Sequence, residues 1–590
     1  MKLPIKWLQS YLTIKHTNKQ LGEIFTDLEF MQDGPIEKVK GLDVIDLEVR
    51  QNRADALSVL GLANEYAAFS NQNIKQPKMA SLDKVKKGNF LKITSTKGVK
   101  RLFAVIIKNI KVKESPKEIK KYIESYGIQS VNNIVDITNF VMLEYGIPLH
   151  AFDLDKLQEK NGIYLNLQQA TNGQQIQTWQ GTKITLNKED ICFKDGVGNV
   201  SGIGGVTGDN KTGTFNNTTS ILLEAANYDH SQTRKSAAKH NLYTESALRH
   251  SKLLSSNLVE KAILRAVYLI NKYAGGDIEC YQDLYPTKQK QIIINFDTLQ
   301  TGRLGGIDLS LSKQRSYLER LDFKVSKDLK IKDKLKVIVP DWRTDVMQDE
   351  DLVEEVLRLH NYSNIPVTPI NTAPPKDITP RILTLQEKVR DICVSLGMYE
   401  HVTSPLVKNK CVENEIVLQN ALNANANSMR INILDNLYNV KDFYLKSNKQ
   451  SFALFEVGKE YFVKGKVYNE VEMLGVVFDT TNLQNSKQNL DAILNKLGFN
   501  LADLNIDLEG NYFYKKTLIA VVKENAFKIN LKNILNFVNL DFIPNLNFTV
   551  GIVQTIIDDL SFTAGKDVNL HNAFKTIKKQ SKFIDSVFLK

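Results

Sequence analysis

The sequence predicts an α+β chain of several domains, in which mixed and antiparallel sheets pack with helices. Its length of 590 residues exceeds what one core can use and fits roughly three to six domains of about 100 to 200 residues. Amphipathic helical patterns alternate with short β-branched runs that are broken by glycine and asparagine. A stretch at 366–380, PVTPINTAPPKDITP, holds five prolines in 15 residues and indicates a stiff linker between domains.

Helices and strands can be assigned in chain order. Thr17 and Gln20 form a capping-box pattern ahead of apolar residues at helical spacing, and this first module ends in LEFMQDG. Between about Asn89 and Gly275, runs such as RLFAVIIKNIKV, GIYLNLQQA and SILLEAANY predict a mixed α+β domain. From Ser310 the pattern SLSKQRSYLERLDFKVSKD repeats the first helix and its L-acid-F ending, which indicates two similar small modules.

Beyond the linker, the sequence predicts a further domain. RILTLQEKVRDICVSLGMYEHV has the spacing of an amphipathic helix leading into a strand, and SFALFEVGKEYFV and MLGVVFDTT predict buried antiparallel strands. The last segment predicts a strand at TIIDDLSFTA, a helix at NLHNAFKTIKKQ and a strand at IDSVFLK.

Composition excludes several classes of protein. Hydrophobic residues make up 42% of the chain and charged residues 24%, and no apolar run approaches the roughly 18 residues of a membrane helix. The N-terminal MKLPIKWLQSYL lacks the continuous apolar core of a signal peptide, so we expect a cytoplasmic protein without membrane contact. The four cysteines are far apart and form no CxxC pair, which argues against zinc ribbons and disulfide frameworks.

Positive charge is concentrated in one segment. The chain carries a formal charge of +11, and 75–121 alone holds 15 lysines and arginines against three acids. Such a segment fits a polyanion, because each neutralised phosphate releases counterions. It fits a solvated lysine-rich surface equally well.

Two other stretches invite chemical interpretations. The glycine-rich GIGGVTGDNKTGT lacks both phosphate-loop spacings, so its glycines indicate turns or a close approach of backbone to a ligand. His150 follows the polar stretch VNNIVDITNF, and on these residues alone a buried histidine satisfied by its neighbours is the simpler interpretation.

An acidic helix is predicted near residue 350. DVMQDEDLVEEVLRLH places six carboxylates within eleven residues. At about 100° per residue, Asp351, Glu354 and Glu355 share a face with Arg358, opposite the apolar positions. That face fits either a solvated surface, with Glu354 paired to Arg358, or a magnesium site built from carboxylate oxygens.

Three long stretches resemble one family, the beta chain of bacterial phenylalanyl-tRNA synthetase. They are QNRADALSVLGLANEYAAF, VNNIVDITNFVMLEYGIPLHAFD and VPDWRTDVMQDEDLVEEVLRLHNYSNIP, and they occur in the family's order. The resemblance covers most of the chain between about Lys2 and Phe462. It implies a heterotetramer of two alpha and two beta chains, with ATP as a substrate of alpha and phenylalanine tRNA as the RNA partner.

The resemblance also implies a domain organisation. The alpha chain would hold the class II active site, and the beta chain would carry editing, RNA-binding and an inactive class II synthetase-like domain. The expected segments are an N-terminal module at 1–75, an editing domain at 76–280, a small magnesium-binding module at 288–365, the linker at 366–380, the inactive domain at 381–542 and a shortened anticodon-binding domain at 543–590.

Matching residue by residue assigns two sites. The family's editing pocket falls on Thr138, Asn139, His150, Gly208, Glu224 and Thr244. Glu224 is expected to recognise the tyrosyl hydroxyl, and His150 and Asn139 to position the ester and its water. The family's magnesium ligands fall on Asp345, Asp351, Glu354 and Glu355, which favours the magnesium interpretation of the acidic helix.

Departures from the family leave an alternative function open. Gln129 stands where the family usually has arginine, and Ser246 replaces an alanine of the pocket wall. The OB-type tRNA-binding domain usually inserted after the first module is missing, because GPIEKVKGLDVIDLEV runs straight on. We therefore expect a ligase beta subunit that hydrolyses mischarged tyrosyl-tRNA, or alternatively a non-catalytic RNA-binding or assembly subunit with a decayed editing site.

Overall fold

The structure is a computed structural model of the 590-residue chain. It describes residues 1–94, 98–179, 181–327, 333–369, 372–373, 378–540, 558–561, 563, 570–581, 584 and 587. The chain divides into two compact units, 1–371 and 372–590, each considered by itself. Within the described residues, none of the helices combines the length and the apolar content needed to span a membrane.

The first unit mixes helices and strands along its length. Its helices are α1 (Ile5–Leu8), α2 (Asn18–Asp27), α3 (Val59–Ser70), α4 (Lys117–Tyr126), α5 (Asn133–Tyr145), α6 (His230–Lys239), α7 (Glu245–His250), α8 (Leu258–Tyr273), α9 (Gln300–Gly305), α10 (Leu311–Arg320) and α11 (Asp349–His360). Its strands are β1 (Lys2–Pro4), β2 (Glu37–Val39), β3 (Leu42–Asp46), β4 (Leu91–Ile93), β5 (Val99–Lys108), β6 (Leu149–Asp153), β7 (Leu165–Gln169), β8 (Gln175–Gln177), β9 (Lys183–Thr185), β10 (Ile191–Lys194), β11 (Val200–Ile203), β12 (Thr207–Gly208), β13 (Ile221–Tyr228), β14 (Asp277–Leu284), β15 (Ile293–Asp297), β16 (Lys324–Lys327) and β17 (Lys334–Ile338).

The predicted pair of small modules is confirmed. Each carries a three-stranded antiparallel sheet, in the order β1-β3-β2 or β15-β17-β16. The predicted capping box opens α2, where the side chains of Thr17 and Gln20 exchange hydrogen bonds with each other's backbone. Two residues after the end of each helix, α2 or α10, an acid lies in the left-handed region, Glu29 at φ 69° or Asp322 at φ 65°, and a buried phenylalanine follows it.

The connection between β2 and β3 is short, as the sequence predicts. Strand pairing runs up to Val39 and Leu42, and only Lys40 and Gly41 lie between them, both at positive φ. A two-residue turn of this kind matches the twist of a hairpin. No inserted domain separates these two strands.

Two sheets face each other in the middle of the first unit. The four-stranded sheet has the order β14-β5-β13-β6, and the five-stranded sheet has the order β12-β11-β10-β7-β4. On β13 the side chains alternate: Leu223 and Ala225 pack in the core that includes α5 and α8, whereas Leu222 and Ala226 pack in the core shared with β7 and β10. The first sheet is therefore covered by helices on one face and by the second sheet on the other.

The predicted acidic helix forms as α11, but half of its charged face is buried, and Asp351 and Glu354 are partly exposed. Leu352, Val353 and Val356 are buried as expected, and so are Glu355 and Arg358, each 2% exposed. The expectation that this charged face lies opposite the core is wrong, because Glu355 and Arg358 meet further buried charges from other segments. The expected pair between Glu354 and Arg358 is replaced by a bond from Arg358 Nη2 to Glu355 Oε2 of 2.6 Å.

The second unit is built on a seven-stranded sheet, which is antiparallel except where β18 pairs with β21 in parallel, in the order β18-β21-β22-β26-β25-β24-β23. Its helices are α12 (Arg381–Ser395), α13 (Ile433–Lys446), α14 (Leu483–Lys496), α15 (Leu531–Ile534) and α16 (Leu570–Lys579). Its strands are β18 (Tyr399–Glu400), β19 (Leu406–Val407), β20 (Ser428–Met429), β21 (Ala453–Lys464), β22 (Val467–Phe478), β23 (Asn505–Ile506), β24 (Asn511–Tyr514), β25 (Thr517–Lys523) and β26 (Ala526–Asn530).

Most predictions for this unit fall on described residues. The helix after the linker and the two long strands form as α12, β21 and β22, and the helix near the end of the chain forms as α16. Half of TIIDDLSFTA, most of IDSVFLK and part of the proline-rich stretch lie outside the described residues, and the described residues 558–561 of the first are not in a strand. The α+β class, with mixed and antiparallel sheets, is confirmed.

Candidate active site between two sheets

A cleft of about 100 Å³, partly open to solvent, lies between the two facing sheets and α7. It is lined by Pro148, Leu149, His150, Phe152, Phe193, Gly202, Ile203, Gly205, Val206, Thr207, Gly208, Glu224, Tyr228, Ser246 and His250. Three of the predicted pocket residues, His150, Gly208 and Glu224, therefore come together in one place.

Strand register places two of them side by side. In the antiparallel pairing of β6 with β13, Glu224 lies directly opposite His150. Side chains that face each other across such a pair have Cβ atoms about 4.5–5.5 Å apart. Glu224 shares its face of β13 with Leu222 and Ala226, so both polar groups point between the sheets.

Each of the two groups holds a buried polar atom without a hydrogen-bond partner. Glu224 is 6% exposed and His150 is partly buried, and neither Glu224 Oε2 nor His150 Nε2 has a partner among the described residues. Burial raises the pKa of Glu224 to about 8 and lowers the pKa of His150 to about 4. At neutral pH the carboxyl is therefore mainly protonated and the imidazole is neutral. Unpaired buried polar groups cost about 1–3 kcal/mol each, and native sites that keep them call for a functional explanation.

Gly208 allows the backbone to approach His150 closely. A Cβ atom at this position would lie 2.7 Å from His150 Cε1 and 2.8 Å from Nε2. A side chain would therefore push the imidazole out of place. The predicted close approach of this stretch to a ligand stays a prediction; in the structure the backbone of Gly208 approaches the His150 side chain and lines the cleft.

Aromatic rings form much of the remaining wall. His150 meets Phe152 edge-on at 4.4 Å between ring centroids, Phe152 meets Phe193 at 5.6 Å, and Tyr228 meets His250 at 4.9 Å. Burial raises the pKa of Tyr228 and lowers that of His250 to about 3, with Arg249 adding to the second effect. The lining favours a flat apolar ligand with a polar tip.

Sequence reasoning missed Tyr228 and His250, although periodicity carried a signal for both. Tyr228 lies four residues after Glu224 on the same strand and hence on the same face. His250 lies four residues after Ser246 on α7, one helical turn away.

The other predicted pocket residues do not line the cleft. Thr138 and Asn139 lie on α5, whose apolar residues pack on the opposite face of the four-stranded sheet. Thr244 caps α7 by accepting from Ala247 N at 3.0 Å, and it donates to Val206 O at 2.8 Å. It holds a neighbouring loop in place without reaching the cavity.

Of the two departures from the family pattern, one lies in the cleft. Ser246 lines it and donates from Oγ to Gly205 O at 3.1 Å. Gln129 is exposed and does not belong to the lining.

Three of the four predicted magnesium ligands are engaged by other groups, and the fourth, Glu354, is partly buried on α11, where burial raises its pKa. Arg343 holds both Glu355, at 2.6 Å to each oxygen, and Asp345, at 2.8 and 2.9 Å. Asp351 accepts from two backbone N–H groups ahead of its helix, Met347 at 2.7 Å and Gln348 at 3.0 Å. Within the described part of the chain, no group of three or more acids, histidines or cysteines is arranged to hold a metal ion. These residues as placed do not fit a magnesium site.

Three segments match family models. Residues 98–275 match the B3/4 domain, 294–362 the tRNA synthetase B5 domain, and 365–505 the phenylalanyl tRNA synthetase beta chain CLM domain. The candidate cleft lies within the first of these segments.

Curated relatives of the chain are named phenylalanine–tRNA ligase beta subunit. The protein from Clostridium acetobutylicum is 32% identical over 75% of this chain and 60% of its own length, and that from Fusobacterium nucleatum is 27% identical over 92% and 73%. Against the Clostridium acetobutylicum relative, the chain thus spans about three fifths of the full length. A solved N-terminal fragment of the synthetase beta subunit from Pyrococcus horikoshii resembles 61% of this chain and 99% of its own, at 14% identity and a TM-score of 0.37, a level that does not define a fold by itself.

The matched segments define a chain assembled from tRNA synthetase domains. It belongs to the family of bacterial-type phenylalanyl-tRNA synthetase beta chains.

Proposed function

We propose that this chain is the beta subunit of a cytoplasmic phenylalanine–tRNA ligase and that its cleft hydrolyses mischarged tyrosyl-tRNA. In this proposal an alpha subunit attaches phenylalanine to its tRNA at the expense of ATP, in a complex of two alpha and two beta chains. The observation that carries the editing part is the pair of buried, unpartnered groups, Glu224 Oε2 and His150 Nε2, on adjacent strands of an aromatic-lined cleft.

Glu224 is the group that can read a phenolic hydroxyl. With its pKa raised to about 8, its carboxyl is mainly protonated at pH 7 and can both donate and accept a hydrogen bond. A tyrosyl ring satisfies it, whereas a phenylalanyl ring leaves it unpaired in an apolar wall. A site built this way can discriminate by up to roughly 10⁴-fold, because the penalty falls on the ligand that lacks the hydroxyl.

His150 is the group that can move a proton. Its pKa of about 4 keeps the ring neutral at pH 7, so a ring nitrogen can accept a proton from a water molecule that attacks the ester carbon. Hydrolysis breaks the bond between the carbonyl carbon and the ribose oxygen, and the ribose hydroxyl takes up a proton. The products are tyrosine and uncharged tRNA.

A second function is favoured by the shape of the cleft. Its volume of about 100 Å³ is below the roughly 150 Å³ cavity that holds benzene in another protein, and the Ser246 side chain occupies part of the wall. A subunit that binds RNA and supports assembly with a decayed editing pocket is consistent with these two observations.

Deacylation of tyrosyl-tRNA by the chain assembled with an alpha subunit tests both functions. We expect Glu224→Ala, which removes the group that reads the hydroxyl, to slow deacylation by about 100-fold or more. Glu279→Ala, on the edge strand β14 of the same sheet, serves as the matched control and should retain the full rate. Equal rates in the two variants contradict the role of Glu224, and no deacylation by the unaltered complex supports the decayed pocket.

A further inference from the structure

Two large aromatic side chains lie exposed and in contact near the cleft. The rings of Trp179 and Phe215 have centroids 5.4 Å apart and are tilted by 33°, and the residues are 44% and 38% exposed. The ammonium group of Lys156 lies 4.0 Å from the centre of the Phe215 ring. Single exposed apolar residues are common on proteins, but adjacent exposed rings with a cation over one of them are typical of binding surfaces.

The platform formed by Trp179, Phe215 and Lys156 is held in a fixed shape. Phe215 N donates to Thr218 Oγ1 at 3.0 Å, and Thr218 donates to the buried Asp153 at 2.7 Å. Lys156 Nζ donates to Gly213 O at 3.2 Å. These contacts order the side chains before any ligand arrives, which reduces the entropy cost of binding.

Two separate segments connect this platform to the cleft. Strand β6 carries His150 and runs on to Lys156 six residues later, and β12 carries Gly208 and runs on to Phe215 seven residues later. Six residues reach at most about 20 Å, even when fully extended. The platform and the two polar groups of the cleft therefore lie within the span of a few nucleotides.

The charges around the platform favour a phosphate-bearing ligand. Lys156, Lys183 and Lys211 are exposed in the three segments that build it. Of the acids there, Asp155 is exposed, whereas Asp153 and Asp209 are buried. Asp153 accepts from Thr218 and lies 3.4 Å from Lys156 Nζ, so Lys156 is partly neutralised from within the chain. Rings on which bases stack, with lysines along the backbone path, are how proteins hold single-stranded nucleic acid.

We propose that Trp179 and Phe215 stack an unpaired nucleobase near the 3′ end of tRNA, and that Lys156 meets its phosphate. This inference rests on the proposed editing function, because an aminoacyl-tRNA carries its amino acid on an unpaired 3′ end that must reach the cleft. The platform holds the strand just before that end and thereby delivers the ester to His150 and Glu224.

RNA binding tests this without requiring chemistry. A fluorescently labelled synthetic RNA hairpin with the unpaired 3′ end of phenylalanine tRNA is titrated with the full chain assembled with alpha, while the fluorescence anisotropy of the RNA is followed. The same hairpin without its unpaired nucleotides is the control RNA. We expect Trp179→Leu and Phe215→Leu each to weaken binding of the first RNA by roughly 5- to 150-fold, and to leave binding of the second unchanged.

Tyr468→Leu is the matched control variant, because this exposed aromatic residue lies on β22 in the second unit, outside the proposed platform. Circular dichroism checks that each variant is folded. Equal affinity of all variants for the first RNA overturns the proposal. Loss of alpha binding in the two platform variants also overturns it, because the two rings would then form a protein interface.

Deacylation separates this proposal from the editing function. We expect the platform variants to raise KM for tyrosyl-tRNA while kcat stays within about twofold. A complex that binds the first RNA through the platform but releases no tyrosine supports the platform and contradicts editing. A complex that deacylates tyrosyl-tRNA at unchanged KM in both platform variants supports editing and contradicts the platform.

Discussion

Two polar clusters in the first unit differ in how their carboxylates are paired. In the cleft, Glu224 and His150 each keep an unpaired atom. In the second cluster, which we call the ionic joint, every carboxylate meets a guanidinium, although Arg358 Nε is buried without a hydrogen-bond partner. The members of the ionic joint are Arg53, Asp55, Glu65, Arg343, Asp345, Glu355 and Arg358.

The difference appears in the direction of the pKa shifts. Burial alone acts on Glu224 and raises its pKa to about 8. Burial also acts to raise the pKa of Glu355, but Arg343 and Arg358 outweigh it and hold that pKa well below its usual range. An acid kept neutral and unpaired is available to a ligand, whereas an acid kept charged and paired stabilises the fold. The same residue type at the same burial thus serves opposite purposes.

The largest effect is expected from breaking the ionic joint. Arg343→Met leaves Asp345 without its bidentate partner and Glu355 with one guanidinium fewer, in a buried setting. Removing one partner of a buried pair typically costs about 3–5 kcal/mol of unfolding free energy. Urea unfolding of the chain, followed through the transition in which the first unit unfolds, measures this loss of unfolding free energy. Arg315→Met is the control, since its pair with Glu319 is half-exposed and should cost no more than about 1 kcal/mol.

The next effect concerns the cleft alone. Gly208→Ala would place a Cβ within 2.8 Å of His150 Nε2, so the imidazole must shift. Misplacement of a reacting group by about 1 Å can cost roughly 100-fold in rate, and we expect a loss of that order in tyrosyl-tRNA deacylation. A double-mutant cycle with His150→Gln checks the cause, because the two losses should not add. Additive losses would show that Gly208 acts by another route.

A pH dependence distinguishes the clusters further. Because Glu224 titrates near pH 8 when folded and near 4.5 when unfolded, the folded state holds the extra proton, and stability falls as pH rises between those values. His150 has the opposite sign, but its contribution is complete above pH 6.5. Between pH 6.5 and 8 we therefore expect a loss of up to about 2 kcal/mol, at 1.36 kcal/mol per unit. Unfolding of Glu224→Gln should lack this loss, and an identical slope in both proteins would contradict the assignment.

The smallest effect is expected from magnesium. Because Arg343 already neutralises Asp345 and Glu355, an added cation has no open ligand set in the ionic joint. We expect saturating Mg²⁺ to change the unfolding free energy of the chain by less than about 0.5 kcal/mol. Thermal unfolding with and without Mg²⁺ measures this, with Asp351→Asn and Glu354→Gln as controls. A stabilisation that these variants abolish would restore the predicted metal site.

Local pattern predicted much of the fold. The capping box of α2, the helix near residue 350 and the long strands β21 and β22 form where periodicity placed them, because each depends on neighbours within a few residues. The burial of Glu355 and Arg358 could not be predicted in this way. Arg343 lies 12 residues before Glu355, but Glu65, the partner of Arg358, lies 293 residues away in sequence, and only tertiary packing brings it to α11.

The candidate site was predictable in part, because a resemblance identifies residues without showing on which side of a sheet they lie. His150, Gly208 and Glu224 were identified by resemblance, and strand pairing brings them together. Thr138 and Asn139 were assigned with them, yet α5 carries both on the far side of the sheet. A strand's alternation tells which residues share a face, but it does not tell which other element covers that face.

The interior position of β13 in its sheet has a consequence for how the cleft comes apart when the protein unfolds. Strand β13 is interior to its sheet and is hydrogen-bonded on both sides, to β5 and to β6, along most of its length. Its amides should therefore exchange with solvent deuterium only through global opening of the unit, rather than through local fraying. In partly denaturing conditions the pairing of Glu224 with His150 should persist until the sheet itself unfolds. Mass spectrometry of exchanged peptides should show β13 among the last segments to label.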